Sequence, residues 1–352
     1  MPVTKDLFGT MPDGRAVDRY TLTNKNGLSA SFITLGAVWV TMMAPDRDGK
    51  FEDVILGYDT VEAYMANPPH LGAPIGRNAN RIGGAKVTIA GVDYPLAANN
   101  GPNNLHSGPD YYHSRIWQGE SFEEPGRCGV VFSLESPHMD QGYPGNAKIQ
   151  VSYALDDENA LKLEYRMVSD QDTVANFTNH CYFNLAGHQE PDILKQMVWI
   201  DADCYTPADE VSIPTGEIAP VEGTPMDFRQ MKPIGQDIDK PFTDLVLGNG
   251  YDHNWVLNHP AGTLSLAAQA MDPDSGRLME VYTDLPGMQF YTGNFLSSQL
   301  PGKGGADYGR RHAYCFETQY YPDAVHKEHF PSPILKAGEE YYTATVYKFK
   351  LS

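Results

Sequence analysis

Two ionisable side chains lie inside stretches of sequence that are otherwise aromatic and apolar. His180 belongs to NFTNHCYFNLAGHQ, residues 176–189, and Glu317 belongs to YCFETQYYPDA, residues 314–324. A buried bare charge is very costly, so a carboxylate in such surroundings must be paired or hydrogen-bonded. A carboxylate and an imidazole held together can remove a proton at one atom and deliver a proton at another. Both residues are therefore candidate catalytic groups, although a lone His in an apolar run is more often a satisfied core residue.

Further polar side chains occur in turns and aromatic strands along the chain. Planar hydrogen-bonding groups recognise hydroxyls, and the many Tyr, Phe and Trp residues offer flat apolar faces to C–H surfaces. Together these residue types are what a sugar pocket needs. The candidates are Arg77, Asn80 and Arg81 in GRNANRIGGAKVTIAG, His106 in NNGPNNLHSG, Asp252 in GYDHNWVL, and Gln289 and Asn294 in GMQFYTGNFL.

Several of these residues also have an ordinary structural interpretation. A lone arginine such as Arg77 most often pairs with a surface carboxylate. His106 lies beside Asn and Ser residues that are typical of a loop, and Asp252 could cap a turn by accepting backbone N–H groups. His326 and His329 are three residues apart, yet a solvated loop is favoured over a metal site there.

The elements that must carry these side chains are predicted to be strands. Residues 147–168 alternate polar and apolar side chains on either side of a DDEN turn, which predicts an antiparallel hairpin with one buried face. Residues 262–284 repeat the pattern around DPDSG, and EYYTATVYKFKL predicts a final strand. TVEAYMANPP is the best helical segment and ends at its prolines. The pattern predicts an all-β protein, a large antiparallel sandwich in one domain over residues 1–352, with a division into two domains as the alternative.

Composition narrows the class of protein. The 352 residues include 41% hydrophobic and 20% charged residues, and they carry a formal net charge of -19. That charge repels nucleic acid and anionic lipid, and it weighs against strongly anionic substrates. No apolar run approaches the roughly 18 residues of a membrane helix, and no secretory signal is visible, so we expect a cytoplasmic protein that binds neither membrane nor nucleic acid. The four cysteines lack a Cys-x-x-Cys spacing, which predicts reduced, mostly buried thiols.

Seven segments of the chain resemble, in order, the motifs of the aldose 1-epimerase (galactose mutarotase) family. They run from about residue 20 to the C-terminus, so the resemblance covers nearly the whole chain. The segments are GRNANRI, NNGPNNLHSG, NHCYFNLAGH, PTGEIAPVEGTPMDFR, GYDHNWVL, GMQFYTGNF and ETQYYPDAVHKEHFPSPILKAGEEY. The resemblance implies a mutarotase-type β-sandwich, without metal or organic cofactor, that interconverts the anomers of free aldoses such as galactose and glucose. The expected partner is the small monosaccharide, and the protein is expected to be a monomer or a homodimer.

The resemblance also implies roles for individual residues. Glu317, in ETQ, is similar to the general base that takes the proton of the anomeric hydroxyl, as a carboxylate. His180, in NHCYFNLAG, is similar to the general acid that protonates the ring oxygen, as an imidazolium or through a shared proton. His106 is implied to assist at the ring oxygen. The implied substrate-binding residues are Asn80, Arg81, Asp252 and Gln289.

Two departures from the family pattern and three alternative functions accompany this hypothesis. Cys181 stands where Ser is expected, and His326 stands where Asn is frequent, near the expected rim of the pocket. The alternatives are a sugar-phosphate epimerase, a non-catalytic carbohydrate-binding sandwich, and a glycoside hydrolase. A hydrolase would use Asp252 and Glu317 as a carboxylate pair about 5–9.5 Å apart.

Overall fold

A five-stranded antiparallel sheet opens the structure, which is a computed structural model that describes residues 2–352. Its strands pair in chain order, each with the next, as short turns require. Tyr20 and Leu22 of the second strand are two residues apart, lie on the same face and are both buried. The strands are β1 (Val3–Thr10), β2 (Ala16–Thr23), β3 (Ser29–Ile33), β4 (Val38–Pro45) and β5 (Phe51–Asp53).

The predicted helix follows this sheet and is confirmed as α1 (Val61–Ala66). The hydroxyl of Thr60 accepts a hydrogen bond from the backbone N–H of Ala63 at 3.2 Å, which satisfies one free donor of the first turn. The helix ends before Pro68, which is followed directly by a second proline, and residues preceding proline disfavour helical backbone.

Five short strands follow the helix, and the candidates Arg77, Asn80, Arg81 and His106 lie on or beside them. β7 pairs with β10, and β8 pairs with β9, while β6 pairs with the later strand β16 (Thr178–His180). These strands are β6 (Ala73–Ile75), β7 (Arg81–Ile82), β8 (Lys86–Ile89), β9 (Val92–Pro95) and β10 (Asn104–Leu105).

The rest of the described chain supplies two larger sheets. The strands in chain order are β11 (Gln118–Glu124), β12 (Arg127–Ser136), β13 (Ala147–Asp156), β14 (Ala160–Ser169), β15 (Thr173–Val174), β16 (Thr178–His180), β17 (Met197–Ile200), β18 (Cys204–Thr206), β19 (Ala219–Pro220), β20 (Lys232–Pro233), β21 (Asp252–Val256), β22 (Ser265–Met271), β23 (Arg277–Thr283), β24 (Gly287–Tyr291), β25 (Cys315–Gln319), β26 (Ile334–Leu335) and β27 (Glu340–Leu351). One sheet has nine strands in the order β11-β12-β13-β14-β27-β23-β22-β17-β20, and the other has five in the order β19-β18-β21-β24-β25.

The predicted hairpins are confirmed and form the middle of the nine-stranded sheet. β13 pairs with β14 from Ala147 opposite Ser169 to Leu155 opposite Leu161, and the alternating apolar side chains of both strands are buried. β22 pairs with β23 across the predicted turn at residues 272–276, and β27 is the predicted C-terminal strand, lying between β14 and β23. Period-two hydrophobicity therefore located these strands correctly.

Helical structure is sparse among residues 2–352. Helix α2 (Thr243–Gly248) was not indicated by the sequence, because its exposed Val246 and its buried Asp244 break the usual amphipathic pattern. No helix in this range is long and apolar enough to cross a membrane. The short 3-10 helices are Gly83–Ala85, Tyr112–Ser114, Asp140–Gly142, Ile234–Gln236, Lys303–Gly305 and Ala324–His326.

One hydrophobic core joins the three large sheets. Trp39 of β4 lies against Tyr347 of β27, with ring centroids 5.6 Å apart, and so connects the N-terminal sheet with the nine-stranded sheet. The hydroxyl of Tyr347 donates a hydrogen bond to the backbone carbonyl of Phe316 in β25 at 3.3 Å. The core therefore fixes β25, the strand that carries Glu317, against the largest sheet of the protein.

Candidate active site

A pocket of about 230 Å³ is lined in part by residues of the neighbouring strands β21, β24 and β25. It brings together every residue to which the family resemblance assigned a catalytic or substrate-binding role. These residues are Asn80, Arg81, His106, His180, Asp252, Gln289 and Glu317. They come from six separate segments of the chain, so their convergence is a product of the tertiary fold.

The alternation of strand β25 places three functional side chains on one face. Cys315, Glu317 and Gln319 are two residues apart, and such residues point to the same side of a sheet. Glu317 pairs across the sheet with Gln289 of β24, and Gln289 pairs with Asn254 of β21. The sheet therefore aligns a carboxylate with two amides, one on each of the next two strands.

His180 ends the short strand β16, which is held by its antiparallel pairing with β6. The backbone carbonyl of His180 accepts a hydrogen bond from the N–H of Gly72 at 3.0 Å, and the imidazole stacks on Tyr182 with ring centroids 4.9 Å apart. Cys315 Sγ lies 3.5 Å from His180 Nδ1. A thiol can donate to a neutral ring nitrogen or weakly accept from an imidazolium, so this contact suits both protonation states of His180. It leaves Nε2 free to face the pocket.

Glu317 faces this free nitrogen, with Oε1 3.7 Å from His180 Nε2. The carboxyl is buried, and no hydrogen bond within residues 2–352 reaches its Oε2. Burial raises the pKa of Glu317 well above its usual value, nearby Asp252 raises it further, and Arg81 opposes the shift. Burial also lowers the pKa of His180 to about 3. Burial alone thus favours a protonated Glu317 beside a neutral His180. In this state the two side chains together hold one proton, as they do in the expected carboxylate–imidazolium pair.

His106 is oriented by an unusual turn. Asn80 and His106 both have left-handed backbone, with φ of 61° and 55°, a conformation that non-glycine residues adopt only when their surroundings enforce it. The backbone N–H of His106 donates to the carbonyl of Asn80 at 3.0 Å, and the N–H of Asn80 donates to Nδ1 of His106 at 3.1 Å. Burial lowers the pKa of His106 well below its usual value, so the ring is neutral. Since Nδ1 accepts, the single ring proton is on Nε2, which faces the pocket as a donor.

Amide side chains connect the opposite wall. Gln289 Nε2 donates to Oδ1 of Asp252 at 2.8 Å, and Gln319 Nε2 donates to Oε1 of Gln289 at 3.2 Å. Arg81 is held by Asn100, whose side-chain oxygen accepts from Nε at 3.0 Å. These bonds fix groups that both donate to and accept from hydroxyls, which is suited to a neutral sugar.

His106, His180 and Glu317 also present three ligand-type atoms within 4.8 Å of one another. Two histidines and a glutamate form the ligand set of some catalytic zinc sites. A ligating histidine usually donates its other ring N–H to an acceptor and keeps a lone pair for the metal. His106 has the reverse arrangement, because Nδ1 accepts the hydrogen bond from Asn80 and the proton is on Nε2, the nitrogen that faces the pocket. The group therefore suits hydrogen bonding to oxygen better than it suits a metal ion.

Two of the nominated polar residues serve the fold instead of the pocket. Arg77 is fully buried and donates to the backbone carbonyls of Pro144 and Gly145 at 2.8 and 2.9 Å, so its interpretation as a surface ion pair is wrong. Asn294 donates to the carbonyls of Gly248 and Tyr251 and stabilises the turn between them. Both residues satisfy buried backbone acceptors, which sequence alone does not distinguish from ligand binding.

The two departures from the family pattern lie away from the pocket lining. Cys181 is a buried free thiol, as are Cys128 and Cys315, which confirms the prediction for these cysteines. His326 Nδ1 lies 2.6 Å from Oδ1 of Asp323, the same oxygen that accepts the N–H of Gly83. His326 therefore supports a contact between two loops.

Other residues in and behind the pocket were not indicated by the sequence. Gln319, the last residue of the ETQ motif, was not singled out, although it connects the pocket residues Gln289 and Asn80 from behind the lining. His70 follows two prolines and carried no signal of its own. The remaining missed side chains form an aromatic and apolar outer rim that no short motif marks, and they include Tyr58, Tyr182, Tyr291, Phe295, Leu300 and Tyr308.

Known proteins are similar to this chain in sequence and in fold over nearly their full lengths. A family model for aldose 1-epimerase matches residues 18–348. The galactose mutarotase of Bos taurus is 42% identical over 351 residues, 99% of each chain, and the aldose 1-epimerase of Escherichia coli strain K12 is 35% identical over 340 residues, 96% of each. The crystal structure of galactose 1-epimerase from Lactobacillus acidophilus superimposes with a TM-score of 0.88 at 26% identity, covering 100% of this chain and 99% of that chain.

The fold and the pocket define an all-β carbohydrate-active enzyme with a buried Glu–His pair. Similarity over the whole chain then specifies the family of enzymes: the chain belongs to the aldose 1-epimerase family. It is an isomerase that interconverts the α and β anomers of aldoses. The sandwich expected from the strand pattern is confirmed by the structural relatives.

Proposed function

We propose that Glu317 and His180 open and reclose the ring of a free aldose, with galactose or glucose as the substrate. The observation that carries this proposal is the pair itself, whose Oε1 and Nε2 lie 3.7 Å apart in a pocket lined with hydroxyl-binding side chains. A binding-only pocket has no use for a buried, unsatisfied carboxyl beside an imidazole. Positioning both groups against one substrate converts acid–base chemistry into an effectively unimolecular step.

In ring opening, Glu317 takes the proton of the anomeric hydroxyl while the C1–ring-oxygen bond breaks. His180 delivers the proton from Nε2 to the departing ring oxygen, which becomes the C5 hydroxyl. The anomeric carbon is then a free aldehyde, and Glu317 is protonated beside a neutral His180. This is the protonation state that burial favours, so the pocket stabilises the open-chain intermediate relative to the ion pair.

Reclosure on the other face completes the reaction. Rotation about the C1–C2 bond exposes the opposite face of the aldehyde, and the C5 hydroxyl attacks it while returning its proton to His180. Glu317 returns its proton to the aldehyde oxygen, which becomes the new anomeric hydroxyl. Each group ends in its starting state, so no proton is exchanged with bulk water and no co-reactant is needed.

The other nominated residues bind and orient the sugar in this proposal. His106 donates from Nε2 towards the ring oxygen, and Arg81 and Asn80 hold the adjoining edge of the substrate. Asp252 and Gln289, which are hydrogen-bonded to each other at 2.8 Å, accept from and donate to hydroxyls. Among residues 2–352, Arg81 is the only arginine or lysine that lines the pocket. Because the lining also includes two carboxyl side chains, a phosphorylated sugar has little positive charge to bind.

Polarimetry tests the function directly. Crystalline α-D-galactose is dissolved, and its optical rotation is followed to the equilibrium anomer mixture with and without enzyme. We expect acceleration with galactose or glucose and none with glucose 6-phosphate. Methyl α-D-galactoside is the control, because it lacks the anomeric O–H and should remain unchanged. Hydrolysis of that glycoside would instead support a glycosidase, and acceleration with the phosphate alone would support a sugar-phosphate epimerase.

A further inference from the structure

A third histidine, His70, lines the pocket beside His106 and His180 and has no part in the mechanism above. Its ring centroid lies 5.3 Å from that of His106 and 5.8 Å from that of His180. His70 lies in the turn between α1 and β6, where its backbone is left-handed with φ of 62°. Its N–H donates to Asn67 at 2.9 Å and its carbonyl accepts from Ala73 at 3.0 Å, so the turn holds the ring in a fixed direction.

The orientation of the His70 ring is set by a second histidine outside the pocket lining. His70 Nδ1 lies 3.0 Å from His113 Nε2, within hydrogen-bond distance. His113 is buried, and its other nitrogen, Nδ1, has no hydrogen-bond partner among residues 2–352. Burial lowers the pKa of His113 to about 4 and the pKa of His70 well below its usual value, so both rings are neutral.

The direction of this hydrogen bond follows from the unpaired nitrogen. If His70 donated, the proton of His113 would have to be on the buried Nδ1 as an N–H without an acceptor. If His113 donates, its Nδ1 is a bare lone pair, and an unsatisfied acceptor is tolerated more readily than an orphaned N–H. His113 therefore donates to His70 Nδ1, and the proton of His70 is on Nε2. His70 thus presents a pocket-facing N–H in the same way as His106.

The location of His70 indicates which part of the sugar it meets. Ligand-type atoms of His106, His180 and Glu317 lie within 4.8 Å of one another, and His70 is outside that group. Under the proposed function, Glu317 faces the hydroxyl on C1 and His180 faces the ring oxygen. A pyranose ring oxygen is bonded to C1 and to C5, so the substituent on the far side of His180 from Glu317 is the hydroxymethyl group on C5.

We propose that His70 is a further substrate-binding residue, which donates a hydrogen bond from Nε2 to the hydroxymethyl oxygen of a hexose, and that His113 is the positioning residue that fixes this tautomer. The pair rests on the proposed function for its substrate and gives the pocket a reason to favour hexoses over pentoses. A site built to hydrogen-bond a substrate hydroxyl discriminates against the analogue that lacks it, because its own polar group is left unpaired.

The test compares sugars that differ only at this group. L-Arabinose has the configuration of D-galactose without the hydroxymethyl group, and D-xylose stands in the same relation to D-glucose. In His70→Leu we expect the ratio of kcat/KM for galactose to kcat/KM for arabinose to fall about tenfold, the effect of one net hydrogen bond. His70→Gln retains an N–H at similar reach and should recover part of the ratio. Circular dichroism and Tm establish that each variant is folded.

His113 has its own pair of variants. His113→Leu removes the donor to His70 and should lower the same ratio through KM, while kcat changes less. His113→Gln keeps an N–H donor and should recover at least half of the loss. A merely structural role for His113 would lower activity equally for both sugars, and that result would overturn the positioning role.

A measurement on the unaltered protein covers the case in which a variant does not fold. The wild-type enzyme should have a kcat/KM about tenfold lower for 6-deoxy-D-galactose than for D-galactose. Equal values for these two sugars, or equal losses for galactose and arabinose in His70→Leu, would overturn the assignment of His70. An enzyme that accelerates no aldose would instead refute the proposed function, so the two failures are distinguishable.

Discussion

Replacing Glu317 with Gln removes the proposed base while keeping the shape of the side chain. A Gln side chain cannot take the proton of the anomeric hydroxyl, and general acid–base assistance is typically worth about 10²–10⁴-fold. We therefore expect kcat to fall by that factor, which corresponds to about 2.7–5.4 kcal/mol of transition-state stabilisation. KM should change little, because Asp252 and Gln289 still bind the hydroxyls.

The same substitution should stabilise the folded protein at neutral pH. Burial raises the pKa of Glu317, so the folded state holds a proton that the unfolded state releases above a pH of about 4.5. The free energy of unfolding of the wild type therefore decreases as pH rises from that value to the raised pKa. Gln does not ionise and escapes this loss. The Tm of Glu317→Gln should exceed that of the wild type at pH 8, and the difference should vanish below about pH 4.

The assay combines polarimetry with thermal unfolding across this pH range. Glu339→Gln, an exposed carboxylate in the turn before β27, is the matched control and should alter neither activity nor the pH dependence of Tm. Near-normal turnover in Glu317→Gln would refute the assignment of the base. Lower stability of this variant at pH 8 would refute the view that burial raises the pKa of Glu317.

Three other predictions follow from the site. His180→Asn should lower kcat to a similar extent, and the double variant with Glu317→Gln should be little worse than either single variant, since residues that act as a unit are not additive; multiplicative losses would separate the two roles. The active pair of Glu317 and His180 holds one proton, so kcat/KM should fall in acid, where the pair gains a second proton near the His180 pKa of about 3, and should fall in alkali, where the pair loses its proton as Glu317 ionises. The decrease in alkali should be absent from the residual activity of Glu317→Gln. Cys315→Ala removes the contact at His180 Nδ1 and should lower kcat several-fold with little change in KM, whereas an unchanged kcat would show that the thiol does not orient the ring.

Periodicity predicted the strands well, because a strand with one buried face has apolar side chains at alternate residues. The hairpin of β13 and β14 and the final strand β27 follow directly from this pattern. Helix α2 escaped detection, because Val246 is exposed and Asp244 is buried against the usual order. A six-residue helix is stabilised by its tertiary contacts, and these leave no reliable periodic signal.

The sequence indicated the site residues that are polar within an otherwise apolar segment. Glu317 and His180 stand out because a polar group in an apolar strand needs a reason to be there. Arg77 was singled out in the same way, yet it binds backbone carbonyls in the interior. The sequence could not separate these roles, because a buried structural arginine and a ligand-binding arginine have the same sequence signature. His70 and Gln319 were missed, since neither a loop histidine nor an amide beside a known motif is unusual.

The sequence by itself determined the strand pattern, the acidic surface, the family resemblance and the identity of the candidate acid–base pair. Only the tertiary structure decided that seven side chains from six segments share one pocket, and that His180 and Glu317 lie 3.7 Å apart. The physical reason is that side-chain type is a local property, whereas distance, burial and pKa depend on which strands pair. The tautomers of His106 and His70 are the clearest case, because each is set by a hydrogen bond to a residue 26 or more positions away.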